Sequence, residues 1–345
     1  VNAPPFCDDP AALVIVDWSW WLNKAFRVAG LDGMTSTVVG WLCALLSYDP
    51  AHVAMALDSH GPTFRHRMMH PRDPGWRYKG NRDPRPADFY TLSSTCTELA
   101  ELHAIPALWA EGFEADDVMA TATRKARAAG YRVWLCTADK DLHGLTESSL
   151  RGEIDVGVWD NVTGEVRGPR DVEDKFGVTP EQIADLLAIA GDSGDSVPGV
   201  PGIGTGWAAS LLRRFSTMNA ALSTPPEDGA VLARDIKAAS KAIKSGPVDE
   251  RGAVERIRDD LKSRKSIARY HRLLHEHEDL ARFSRDLTAL DCDAPIRIPW
   301  EDLPMGGFDA AELRKRYLSL GFSRKADQVE RFPKRQPWAI GHEEI

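Results

Sequence analysis

Tyr131-Arg-Val-Trp-Leu-Cys-Thr137, followed at once by Ala138-Asp139-Lys140-Asp141, is a short apolar run that ends in acids. Ala12–Asp17 (ALVIVD) and His52–Asp58 (HVAMALD) repeat the arrangement. Such runs read as buried strands, although periodicity alone does not separate them from short buried helices. The segments between them add information. Ala115 to Ala129 has helical spacing and stops at Gly130, a residue that takes the left-handed C′ position without strain. Thr179-Pro180 opens another helix, running to Ala190, with Thr as N-cap and Pro at the first helical position. Alternation of this kind implies an α/β layer on a mostly parallel sheet.

The chain has 345 residues, which at roughly 150 residues per domain suggests about two domains. An apolar fraction of 43% supplies a sizeable core. The net charge of −8 argues mildly against a polyanionic partner, but the distribution of charge matters more than its sum. Five cysteines, at 7, 43, 96, 136 and 292, are odd in number and form no CxxC pair, so neither a disulfide framework nor a thiolate zinc site is expected. A cytoplasmic location fits. Residues 1–11 carry Asp8 and Asp9 and no basic stretch, so no secretory signal is expected. No apolar run approaches the ~20 residues that span a bilayer, and no membrane partner is expected.

Asp17, Asp58, Asp139 and Asp141 stand at the C-terminal ends of the expected strands, the edge where open α/β sheets bind ligands. Glu114, Asp116 and Asp117 open the 115–129 helix, and Asp192 and Asp195, three residues apart, share one face of a turn. Taken singly, each has a structural explanation; acids at a helix start stabilise its dipole. Taken together they repel. Two carboxylates ~6 Å apart oppose each other by roughly 3 kcal/mol at an effective dielectric near 20. Cations relieve that, and all-oxygen ligands suit Mg2+ or Mn2+. Two such ions ~4 Å apart serve in-line displacement at phosphorus.

The same residues carry a family resemblance. Glu111-Gly-Phe-Glu-Ala-Asp-Asp-Val118, Thr137-Ala-Asp-Lys-Asp-Leu142 and Gly191-Asp-Ser-Gly-Asp-Ser-Val-Pro-Gly-Val-Pro-Gly-Ile-Gly204 resemble the 5′-nuclease (flap endonuclease) family, in particular the 5′–3′ exonuclease domain of bacterial polymerase I and its stand-alone bacterial and phage relatives. The resemblance covers about residues 11–325. It implies a PIN-like α/β nuclease domain with a helical arch and a C-terminal helix–hairpin–helix region: nuclease domain 1–178 including an arch at 60–90, helical region 179–330, tail 331–345. It implies a divalent-metal-dependent 5′–3′ exonuclease and flap endonuclease, acting as a monomer on DNA with 5′ ends, flaps or junctions. Carried over, Asp17, Asp58, Glu114 and Asp116 hold the catalytic ion, and Asp117, Asp139, Asp141, Asp192 and Asp195 hold further ions.

Residues 64–86 hold seven arginines and lysines against two aspartates, in a segment rich in Pro, Gly and His. On charge alone a solvated loop explains this equally well. Phe64-Arg-His66 and Tyr78-Lys-Gly-Asn-Arg82 match the family's arch, which assigns Lys79 and Arg82 to the scissile phosphate, Arg65 to phosphate positioning and Tyr78 to stacking on a base. Gly199-Val-Pro-Gly-Ile-Gly-Thr-Gly206 has the wrong spacing and no preceding strand for a dinucleotide fingerprint. A DNA-gripping hairpin fits, with Gly199, Gly202 and Gly204 presenting amides to phosphate and carbonyls to a monovalent cation such as K+. The family's usual Lys-Thr after the hairpin is Gly206-Trp207 here, which removes one cation. Residues 234–272, with twelve basic residues against six acidic, either compensate or form an ordinary exposed charged helix pair. Trp18-Ser-Trp-Trp21 replaces the usual small residue after Asp17; buried packing is the default for tryptophan and stacking on a terminal base the alternative.

Two motifs mislead. Gly191-Asp-Ser-Gly-Asp195 nearly spells a serine-protease nucleophile motif, but its helical context and the lack of a partner histidine argue against it. His271 and His275 share a helix face without an evident third metal ligand. The rival reading is a structure-specific DNA-binding protein with weak or no cleavage; a PIN-type ribonuclease is a further one.

Overall fold

The computed structural model describes residues 3–245, 251–298 and 307–331. Residues 332–345 of the expected tail lie outside them. The chain forms two compact units: residues 1–67, 82–172 and 290–345 make the first, and residues 68–81 and 173–289 the second. The division expected at 178/179 therefore differs from the packing in two places. Residues 68–81 join the second unit, and the chain returns to the first at Leu290.

The first unit is built on β1 (Ala12–Asp17), all six of whose residues are buried. α1 (Trp18–Ser47) follows directly, then β2 (His52–Ala56), α2 (Ala87–Leu102), β3 (Ala107–Leu108), α3 (Ala115–Ala128) and β4 (Arg132–Cys136). The sheet order is β3-β2-β1-β4-β6-β5, where β5 is Glu147–Ser148 and β6 is Ile154–Trp159; β7 (Val166–Arg167) pairs with β6. Every pairing from β3 to β6 along this path is parallel, while β5 and β7 run antiparallel to β6. This is the mostly parallel sheet the alternation implied.

Alternation along β1 divides the core. Ala12, Val14 and Val16 pack with Trp18, Trp21 and Leu22 of α1 and Phe89 of α2, while Leu13 and Ile15 face Val118, Met119 and Ala122 of α3. Trp18 and Trp21 take the default tryptophan role: both are buried, and the Trp18 Nε1 donates to Thr97 Oγ1 at 2.9 Å. α1 is long and apolar enough to cross a membrane by length and composition, contrary to the expectation of no such run. Its buried side chains are spent on the sheet face, and Gly30 (φ 63°) kinks it.

After Leu290 the chain lies along α3, burying Ala294, Ile296 and Ile298 in the same cluster. Lys125 Nζ donates to the Ile296 carbonyl at 2.7 Å. The last described part of the unit packs Leu313 and Tyr317 against Val39 and Leu99.

α4 (Pro169–Phe176) spans the residues where the first unit gives way to the second. The second unit contains α5 (Ile183–Ala190), α6 (Thr205–Phe215), α7 (Met218–Ser223), α8 (Gly229–Ser245), α9 (Arg251–Glu276) and α10 (Glu278–Thr288). Thr179 and Gln182 form a reciprocal capping box ahead of α5. The expected helical arch does not form. Phe64–Arg67 is a single 3-10 turn, and no helix follows until Ala87. Pro71, Pro74, Pro84 and Pro86 remove amide donors, and Gly75 and Gly80 add backbone entropy, so a helix here has little support.

Candidate metal centre

The end of β1 places Asp17 at the N-cap of α1, where its Oδ1 accepts from the Trp20 amide at 2.9 Å. Its Oδ2 accepts from the Thr137 hydroxyl at 2.8 Å. Thr137 Oγ1 in turn accepts from the Asp139 amide at 3.1 Å, and Asp139 Oδ1 from the Asp141 amide at 3.1 Å. One hydroxyl thus ties the end of β1 to the acids that follow β4. Thr137 stood inside the quoted motif with no role given to it; a hydroxyl between a strand and two acids was the available signal.

Asp58 lies two residues beyond β2. Its amide donates to Ser19 Oγ at 2.9 Å, and its Oδ1 accepts from the Ala115 amide at 2.9 Å, at the first residue of α3. Ser19 is a second positioning residue that sequence reading missed. Burial, reinforced by the charges of Asp139 and Asp58, raises the Asp17 carboxyl to about 7 despite the Trp20 and Thr137 hydrogen bonds. The groups donating to Asp17 and Asp58 are neutral amides and a hydroxyl; among the described residues no basic side chain is paired with either.

Among the described residues, no three Asp, Glu, His or Cys side chains stand close enough to hold one ion between them. The expected convergence is looser than a closed cage. Mg2+ keeps several waters and needs only one or two carboxylates, so the oxygen-only pair Asp17 and Asp58, with Asp139 beside them, fits such an ion. Asp116 and Asp141 are half-buried on the same unit.

Asp117 does not fit. It is fully buried, and all of its acceptor directions are occupied: Arg65 donates to both oxygens, at 2.6 and 2.8 Å, the Glu114 amide to Oδ2 at 3.2 Å and the Asp291 amide to Oδ1 at 2.9 Å. These contacts favour a structural role for Asp117 over the expected metal-binding one. Arg65 goes with it: its side chain is 3% exposed and also bonds Glu114 Oε2 at 3.1 Å, contacts that favour a structural role over the expected phosphate one. Glu114 keeps its place at the helix start, with Arg65 as counter-ion.

In the second unit, Asp192 and Val197 form an antiparallel bridge, so Asp192 and Asp195 sit in a tight turn and not in the helical context expected around Ser193. Asp192 Oδ1 accepts from the Gly194 amide at 2.9 Å. Residues 68–81 pack beside this turn. Lys79, with φ 54°, pairs its Nζ with Asp195 Oδ2 at 3.6 Å and donates its amide to the Asp195 carbonyl. The Tyr78 ring is buried with Val197, Phe283 and Leu287, and its hydroxyl bonds Asp195 at 3.2 Å, a packing role in place of the expected base stacking. Arg82, on the first unit, is exposed.

The hairpin runs from α5 to α6. Gly199 is buried and donates its amide to Ser284 Oγ at 3.0 Å, which favours a packing role over the expected phosphate contact; its φ of 63° and a Cβ that would lie 2.4 Å from the Gly191 nitrogen explain the glycine. Gly202 and Gly204 are exposed. Trp207 stacks on Tyr270 of α9, ring centroids 4.3 Å apart. His271 and His275 each bond the Ala221 carbonyl, and among the described residues no third candidate ligand stands with them.

Two family models match the chain in succession, meeting at residues 177 and 178. Residues 13–177 match the 5′–3′ exonuclease N-terminal resolvase-like domain, and residues 178–311 the 5′–3′ exonuclease C-terminal SAM fold. DNA polymerase I of Bacillus caldotenax is 29% identical over 328 residues, covering 92% of this chain and 32% of the relative. The chain thus spans about a third of the length of that relative. Among solved structures, the bacteriophage T5 flap endonuclease, in a pseudo-enzyme-product complex with DNA and metal ions, is similar with a TM-score of 0.56 and 21% identity, covering 93% of this chain and 99% of its own. The catalytic core of Rad2 in complex with DNA substrate has a TM-score of 0.53 and 14% identity, covering 92% and 90%. At these identities the structural likenesses speak for the fold alone.

Proposed function

The chain belongs to the 5′–3′ exonuclease family, and from that premise we propose that it hydrolyses DNA phosphodiesters at 5′ ends and 5′ flaps with Mg2+ or Mn2+ as cofactor. The observation that carries the reading is the acidic end of β1: buried Asp17, with the charges of Asp58 and Asp139 beside it and only neutral hydrogen-bond donors on Asp17 and Asp58. In the free protein this arrangement is relieved by a proton on Asp17; a cation offers the alternative.

Asp17, Asp58 and Asp139 are the proposed ligands, with Glu114, Asp116 and Asp141 contributing directly or through water, and Asp192 and Asp195 serving further ions. Bound divalent ions supply a more acidic water and charge for the leaving oxygen. Thr137 and Ser19 do the positioning, each fixing a carboxylate or its backbone by a hydrogen bond of 2.8–2.9 Å. Lys79 and Arg82 are the proposed phosphate cations. Lys79 is held in readiness by Asp195 and exchanges that partner for substrate. Gly202 and Gly204 are the proposed hairpin contacts to duplex, with a monovalent ion such as K+ at their carbonyls. The corollaries are a monomer and a cytoplasmic location, the latter in keeping with five free thiols.

A 5′-labelled flap duplex incubated with and without Mg2+ tests the reading, with Asp139→Asn in parallel. Short labelled product that requires Mg2+ and disappears in Asp139→Asn, with DNA binding retained, is the expected result. Tight binding without product in the wild type would favour the binding protein over the nuclease.

A further inference from the structure

Beside Asp58 the first unit opens a cavity of about 620 Å3, bounded by the start of α1, the residues after β2, α2 and the edge strand β3. That volume lies in the range that holds a small organic ligand. Its floor is apolar, with Leu22 and Phe89. Its rim carries large aromatic faces that the core does not use: Tyr90 is 60% and Trp109 52% exposed. The His60 ring stands against Trp109, centroids 6.2 Å apart.

Two features select the ligand. The first is charge. Asp58, Glu98 and Glu101 line the cavity against one cation, Arg85, and Glu98 is already paired with Arg316 at 2.6 Å. A phosphate in its depth is disfavoured, whereas an uncharged planar group is not. The second is the position of Arg85. Asn23 Oδ1 holds the guanidinium at 2.8 and 3.1 Å, and Phe26 and Phe89 lie beneath it at 5.2 and 5.6 Å. A cation fixed at the wall suits the sugar-phosphate that would trail from a planar group lodged inside.

We infer that this cavity receives one unpaired nucleobase of the substrate strand, next to the phosphate served by Asp58, with Trp109 as its stacking face. The inference rests on the nuclease reading proposed above. Aromatic–base stacking is sequence-tolerant, so the pocket senses that a base is unpaired and not which base it is.

The test pairs an abasic scan with Trp109→Ala. Single-turnover cleavage is measured on flap duplexes carrying an abasic residue at each nucleotide flanking the cut. In the wild type, one position should lower kcat/KM roughly 5- to 150-fold, the range for losing one stacked base. In Trp109→Ala that penalty should vanish, and in Trp109→Phe it should return. 2-Aminopurine at the same position, with Ca2+ in place of Mg2+, should be quenched by wild type and not by Trp109→Ala. An abasic penalty equal in both proteins overturns the pocket and leaves the nuclease reading standing. Absence of any cleavage by wild type overturns the nuclease reading, and 2-aminopurine quenching then still decides the pocket: unchanged quenching in Trp109→Ala sinks it.

Discussion

Replacing Arg65 by methionine keeps a long stem and removes the guanidinium that bonds both Asp117 oxygens and Glu114 Oε2. Asp117 is then a fully buried carboxylate left with two amide donors. Removing one partner of a buried pair destabilises by about 3–5 kcal/mol, because the remaining charge cannot reach water. For a unit of roughly 200 residues, where 1 kcal/mol moves the midpoint by about 2 °C, the first unit should melt roughly 10 °C lower. Differential scanning calorimetry without metal and without DNA measures it directly. Arg65→Met/Asp117→Leu should recover part of the loss, since the orphaned charge is gone. A phosphate-binding Arg65 makes the opposite pattern. Melting within about 1 kcal/mol of wild type, together with weaker DNA binding and a salt dependence shallower by about one counterion, would refute the structural assignment.

Gly199→Ala should destabilise by at least about 2 kcal/mol in urea titration, because its Cβ meets the backbone at Gly191 and its φ is 63°; Gly202→Ala, with nothing nearer than 3.7 Å, should lose about 1 kcal/mol. Burial lowers His103 to about 3 while its Nε2 bonds the Tyr317 hydroxyl at 2.7 Å. The unfolded chain takes up a proton near 6.5 that the folded one refuses, so this contribution is complete above pH 6.5 and is lost as pH falls toward 3, at about 1.4 kcal/mol per pH unit. Urea midpoints at pH 7 and pH 5 should differ more in wild type than in His103→Phe, and equal differences would refute it. Lys79→Ala should lower the single-turnover rate roughly 100-fold with little change in DNA affinity, and an unchanged rate would remove Lys79 from the proposed chemistry.

The three apolar runs at 12–17, 52–58 and 131–137 were legible because a central parallel strand is buried on both faces and must be apolar throughout. The acids that follow them were legible for the converse reason: no core residue explains an aspartate there. The short strands at 107–108, 147–148 and 166–167 carry too few residues for any period to show. Nor does the segment from Leu290 read as core, although Ala294, Ile296 and Ile298 are buried, because Pro295 interrupts a run of only three alternating apolar residues. Asp116 and Asp117 are identical in sequence terms. A single helical step along α3 separates a half-buried carboxylate from one enclosed by Arg65 and two amides, and that difference lives entirely in tertiary contacts. Tyr78 and Gly199 show the same limit: each matches a motif, while their burial, invisible in the sequence, favours packing over contact.

The account separates Asp58, a proposed metal ligand, from Asp117, a structural carboxylate. Its most direct test is the Mg2+ dependence of flap cleavage by wild type, Asp58→Asn and Asp117→Asn, each assayed below its melting temperature. Asp58→Asn should raise the Mg2+ midpoint by at least about tenfold or abolish cleavage, while Asp117→Asn keeps the wild-type midpoint. A midpoint that moves with Asp117 and not with Asp58 would contradict the account.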